Sequence, residues 1–118
     1  MTKAYKPEEV TDLFLAFINS GNLEELVSLY EDNAVLITSA ENTIARGKDE
    51  IRDFYSKLIA NKPKFQKGQQ RQPIVNGDIA LTSSKLVNGL VTAEVARKQS
   101  DGSWRWMIDQ PVIAVEKY

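Results

Sequence analysis

Helical spacing of apolar residues dominates the first half of this chain and strand spacing the second, and that division limits the folds open to it. Val10, Leu13, Phe14, Phe17 and Ile18 fall at i, i+3, i+4, i+7 and i+8, and Ile51, Phe54, Tyr55, Leu58 and Ile59 repeat the same helical stripe. From Phe65 to Tyr118 the pattern predicts four strands, separated by the turn signals Asn76-Gly77-Asp78, Asn88-Gly89 and Asp101-Gly102. Helices followed by an antiparallel meander make an α+β fold, with the helices covering one face of a curved sheet.

Boundary residues support the same division. Pro7 with Glu8 and Glu9 behind it starts a helix, and Asn19-Ser20-Gly21 ends it. Asn22 can cap a second, short helix through Tyr30, with Leu23, Leu26, Val27 and Tyr30 inward. Ala34 to Thr38 and Thr43 to Arg46 read as two short strands. Gly47 then opens a third helix that Asn61 and Pro63 stop, and Pro111 marks a bulge or edge position in the last strand. With 118 residues and no repeat, linker or low-complexity tract, residues 1–118 read as one domain.

Composition narrows the chemistry more than the fold. The chain has no Cys and no His, which excludes thiolate nucleophiles, zinc–thiolate sites and every triad built on imidazole. Any catalysis must use carboxylates, Lys, Tyr, Ser, Thr or water. Fifteen basic and 16 acidic residues give a net charge of −1, with no basic footprint for nucleic acid and no polybasic membrane patch. No apolar run approaches the roughly 20 residues of a membrane span, and MTKAYKPEEV lacks a signal-peptide core, so the expectation is a soluble, cytoplasmic protein. No phosphate-cradling glycine motif is present, and no metal or organic cofactor is implied.

Three strings carry a family likeness: INSGNLEELVSLYEDNAVL, RGKDEIRDFY and RKQSDGSWRWMIDQP. With the order of elements, they resemble the nuclear transport factor 2-like superfamily, which includes SnoaL-like polyketide cyclases and ketosteroid isomerases, over roughly Val10 to Val115. The resemblance implies a cystatin-like cone: three N-terminal helices packed on a strongly curved antiparallel sheet, with an apolar cavity at the open end and dimerisation through the outer sheet face. It leaves function open, because members include isomerases, cyclases, hydrolases, dehydratases and binding modules. By the same resemblance, the proton-shuttling Asp of ketosteroid isomerases falls at Thr38, after Asp32-Asn33-Ala34, and their oxyanion-stabilising Tyr falls at Phe14. Neither residue can do that work. Their second oxyanion donor falls near Glu94, and Tyr30 and Tyr55 match two supporting tyrosines.

A two-residue turn at Asp101-Gly102 would pair Lys98 with Arg105, Ala96 with Met107 and Glu94 with Asp109. Alternation alone would send Lys98, Arg105, Glu94 and Asp109 to water, and Trp104, Trp106, Ile108, Val91 and Val95 to the core. Family geometry implies the reverse: the acids line the cone, while Trp104, Trp106 and Ile108 meet a second subunit. Two carboxylates so placed repel, and one holds its proton near neutrality, making Asp109 and Glu94 an acid/base pair. Phe14, Tyr30, Thr38, Tyr55 and Met107 are then the ligand-binding candidates, although core packing is the favoured reading of the two tyrosines on their inward stripes. Arg46 reads by default as a surface residue. Two functions remain: a homodimer binding a small apolar or partly polar molecule, with cofactor-free isomerisation, cyclisation or addition of water as its chemistry, or a non-catalytic interaction module whose cone is filled core.

Overall fold

A computed structural model describes residues 2–38 and 43–116. Helix α1 spans Glu9–Ser20, α2 Leu23–Val27 and α3 Gly47–Ala60. Gly21 ends α1 in the left-handed region at φ 73°, letting the Asn22 amide reach back to the Phe17 carbonyl at 3.0 Å. Asn22 caps α2 by accepting the Glu25 amide at 3.4 Å. That helix is shorter than its apolar spacing predicts, and Tyr30 opens a strand. The carbonyl of Leu29 is taken by the Trp106 amide at 2.8 Å, so a long-range ladder overrides the local pattern.

The strands are β1 (Tyr30–Ile37), β2 (Ile44–Arg46), β3 (Gln69–Gln70), β4 (Ile74–Asn76), β5 (Ile79–Thr82), β6 (Ser84–Lys85), β7 (Leu90–Lys98) and β8 (Trp104–Val115). Six segments therefore stand where four were expected, and residues 65–68 belong to no strand. The predicted end of the last strand at Tyr118 lies outside the described residues. The sheet runs β2-β1-β8-β7-β5-β4, with β6 on β7 and β3 on β6; every pairing is antiparallel except β1 with β8, which run parallel. The α+β class and the curved open sheet agree with the fold expected from the sequence. Pairing shifts in β1 between Tyr30 and Val35 and in β8 around Pro111 mark bulges, which bend a sheet and add twist.

The β7–β8 hairpin differs from its predicted form in an instructive way. Glu94 does face Asp109, and Val95 faces Ile108. Nearer the turn, however, Ala96 faces Trp106, Arg97 faces Arg105 and Lys98 faces Trp104. The turn is longer than Asp-Gly alone: Gln99 donates to the Ser103 carbonyl at 2.6 Å, and Gly102 donates to the Gln99 carbonyl at 3.0 Å with φ 86°. That odd-length loop moves the register by one residue, and Met107, unpaired between Trp106 and Ile108, moves it back. Because side chains alternate with period 2, the slip turns Trp104 and Trp106 to the same side as Asp109. Both tryptophans are buried in the core with Tyr30, Leu36, Ile51 and Tyr55, beneath α1 and α3. They are not outer-face residues as expected; of that trio only Ile108 points outward, 41% exposed.

Deleting Met107 removes this correction, so either the tryptophans or Asp109 must leave the interior. The deletion is expected to lower Tm by roughly 10–20 °C, the consequence of losing a large buried aromatic. Met107→Ala keeps the residue count and should change stability by no more than about 1 kcal/mol. Equal shifts for the two variants in thermal denaturation would contradict the assigned role of the bulge.

Candidate functional site

Between the helices and the concave sheet face lies a cavity of about 280 Å³. Its walls are mainly apolar. Helix α1 contributes Phe14 and Leu15, α3 contributes Phe54, Tyr55 and Leu58, and the segment after α3 contributes Phe65; Trp106 and Val112 come from β8. Phe14 ties the two sides together, its ring 5.5 Å from Trp106 and 5.9 Å from Tyr55. Glu94 and Asp109 stand in this wall, only 5% and 4% exposed, on paired positions of adjacent strands. Directly opposed residues lie roughly 4.5–5.5 Å apart at Cβ.

Hydroxyl groups hold both carboxyl groups. Tyr30 donates to Asp109 Oδ2 at 2.6 Å, and the Tyr55 hydroxyl lies 2.6 Å from that of Tyr30. With Tyr30 donating to the acid, Tyr55 donates to Tyr30, forming a chain of two buried phenols behind Asp109. On the other strand, Thr82, paired with Glu94 in register, donates to Glu94 Oε1 at 2.8 Å. Asp109 Oδ1 has no hydrogen-bond partner among the described residues, and Asp109 lines the cavity. Two other buried polar atoms of the wall, Thr11 Oγ1 and Trp106 Nε1, also lack partners, but they have no accessible surface and cannot meet a ligand.

Burial dominates the electrostatics. The Asp109 carboxyl is pushed up to about 8, first by desolvation and then by the charge of Glu94, against the pull of the Tyr30 hydroxyl. Glu94 is also raised by burial, but less freely, because the hydroxyls of Thr92 and Thr82 stabilise its ionised form. Burial and the charge of Asp109 hold Tyr30 and Tyr55 well above the usual phenol range, so both remain neutral donors. Among the described residues, no lysine or arginine contributes to the environment of either carboxylate. Burial and mutual repulsion therefore both favour a proton on the pair, more strongly at Asp109 than at Glu94, whose charge the threonine hydroxyls support.

The other predicted residues divide clearly. Phe14, Thr38 and Tyr55 line the cavity, although the Thr38 hydroxyl donates to the Thr43 carbonyl at 3.0 Å. Tyr30 lies behind the wall and acts on Asp109 instead of on a ligand. Met107 is not part of the wall, because it is the bulged residue, and its predicted cross-strand pair with Ala96 does not form. Arg46 is exposed at the start of α3, outside the cavity. Thr82 and Trp106 went unrecognised as site residues; both depend on register, and no motif signals them.

Against known families, the SnoaL-like domain model matches residues 10–111. The chain belongs to the SnoaL-like family. Among solved structures, this SnoaL-like chain is similar to a ketosteroid isomerase-like protein from Erwinia carotovora atroseptica, with 20% identity, TM-score 0.64, and coverage of 86% of this chain and 88% of that one. A cystatin-like protein of unknown function from Nostoc punctiforme is 18% identical, with TM-score 0.66 and coverage of 87% and 84%. A function-unknown protein from Mycobacterium tuberculosis is 15% identical, with TM-score 0.72 and coverage of 94% and 74%. At these identities the likeness is one of fold. No curated protein matches the chain.

The carboxyl pair sets a pH signature. Folded Asp109 keeps its proton to about 8, whereas the unfolded chain releases it in the ordinary carboxylate range, so rising pH favours unfolding until the folded group ionises too. Asp109→Asn removes that penalty. Its stability advantage over the wild type should be absent below about pH 4, grow up to about pH 8 and then level off at about 2–4 kcal/mol. Denaturant titrations at several pH values measure it; a variant that is less stable at every pH would mark Asp109 as a structural acceptor instead.

Proposed function

We propose that this SnoaL-like protein binds a small, largely apolar molecule in the cavity, with Glu94 and Asp109 as its polar anchors. The observation that carries this reading is an open, aromatic-walled cavity containing two buried carboxyl groups that no lysine or arginine among the described residues neutralises. A filled core would place apolar side chains there, since unpaired buried acids weaken a fold. In the enzymatic version, protonated Asp109 donates and ionised Glu94 accepts, which suits isomerisation, cyclisation or addition of water without a cofactor. Thr38 and Phe14 cannot supply the base and donor of the ketosteroid isomerases, so steroid isomerisation by that route is not part of the proposal. A cytoplasmic site of action belongs to the same proposal; among the described residues no helix is long and apolar enough to cross a membrane.

Binding of the neutral fluorophore N-phenyl-1-naphthylamine tests the cavity. One site per chain with a blue-shifted emission is expected. Leu15→Trp combined with Leu58→Trp, two half-buried helix positions in the wall, should weaken binding at least about tenfold by filling the space. Unchanged binding in the filled variant would sink the assignment.

The outer sheet face supports self-association in addition. Leu81, Val95, Ile108 and Val35 are successive partners across β5, β7, β8 and β1 and form an apolar row, with Leu81 44% and Ile108 41% exposed. A homodimer packed on this row is proposed, with Ile108 central and the tryptophans excluded. Light scattering of Leu81→Glu with Ile108→Glu should report monomer; an unchanged dimer would overturn the assignment of the face.

A further inference from the structure

The cavity has its charge at the bottom and aromatic rings around it. Phe14, Phe54, Tyr55 and Trp106 surround the same space into which Glu94 and Asp109 open. Aromatic faces attract organic cations, and the attraction grows when the cation is desolvated. Tyr30 holds Asp109 Oδ2 and threonine hydroxyls hold Glu94, while Asp109 Oδ1 keeps its acceptor capacity, with no hydrogen-bond partner among the described residues. Resting on the reading of the cavity as a small-molecule site, we infer that its ligand is an organic amine: an apolar body among the rings, and an ammonium head between Glu94 and Asp109.

Other ligand chemistries fit the wall less well. An anion would meet the charge of Glu94 with no cation at depth to offset it. Lys67 does line the cavity, but it is largely exposed and paired to Asp12 of α1 at 3.1 Å, so it belongs to the rim. A neutral molecule bearing a single acceptor oxygen would engage the Asp109 proton but leave the charge of Glu94 uncompensated. An ammonium group donates to both carboxylates at once and offsets the burial and repulsion that favour the proton on Asp109. Its binding therefore drives Asp109 to ionise, and that proton passes to solvent. The titratable groups facing Asp109 are Glu94 from β7, Tyr30 from β1 and Tyr55 from α3, with Lys67 at the rim; of these only Glu94 shares the exchange, because both phenols stay neutral.

Three probes of one shape decide the matter: 4-phenylbutylamine, 4-phenylbutanol and 4-phenylbutanoate, titrated calorimetrically into the wild-type protein at pH 7. The amine should bind at least about tenfold tighter than the alcohol, and the carboxylate at least about tenfold weaker. The heat of amine binding should depend on the ionisation enthalpy of the buffer, corresponding to release of up to one proton per site, while the heat of alcohol binding should not. Glu94→Gln should remove the advantage of the amine over the alcohol. An alcohol that binds as tightly as the amine, or amine binding without proton release, overturns the inference but leaves the small-molecule site standing. If none of the probes binds, or if binding persists in the Leu15→Trp, Leu58→Trp variant, the reading of the cavity itself fails. The wild-type comparison needs no variant to fold.

Discussion

Between Trp106 and Ile108, strand β8 carries one residue more than the strand it pairs with, and the interior of the molecule depends on that excess. On one side of Met107 the tryptophans pack into the core against Tyr30 and Phe14; on the other, Asp109 meets Glu94 and the cavity. A regular strand cannot put both groups on one face of the sheet, because odd spacing sends side chains to opposite sides. The bulge also bends β8, and curvature is what leaves room between sheet and helices. One unpaired residue thus couples the packing of the core to the position of the acids.

The acids impose the second constraint. Two carboxyl groups removed from water and set opposite each other lower stability unless one is neutralised. Here burial and repulsion raise both groups toward the protonated form, Asp109 the more strongly. The arrangement distributes the burden unevenly: two threonine hydroxyls favour the charge on Glu94, while the chain from Tyr55 through Tyr30 supports Asp109 at one oxygen only. Different environments for chemically similar groups are what separate a donor from an acceptor. Buried charge of this kind is expected where a site is kept ready for a ligand rather than where a core is only packed.

Membership of the SnoaL-like family accounts for the scaffold but not for this constellation. Thr38 and Phe14, where the resemblance to ketosteroid isomerases would put their base and first oxyanion donor, both line the cavity. The buried acids stand instead on β7 and β8. Tyr30 bonds Asp109, and Tyr55 bonds Tyr30. Fold and cavity are common ground across such proteins, while a few wall positions decide the chemistry.

The sequence by itself determined the three helices, their caps at Gly21 and Asn22, the α+β class and the opposition of Glu94 to Asp109, because short-range periodicity and turn chemistry act within a few residues. Even that pairing was reached through a turn one residue too short, and it survived only because Met107 restores the register. The tertiary structure decided what long-range pairing controls. Tyr30 became a strand residue when the Leu29 carbonyl found Trp106; the tryptophans turned inward; Met107 left the cavity wall; Thr82 reached Glu94 from a strand with no local signal of its role. A one-residue shift in a ladder is invisible to composition and nearly invisible to alternation, yet it exchanges the two faces of a strand. For that reason the fold was legible in the chain, and the wall of the site only in three dimensions.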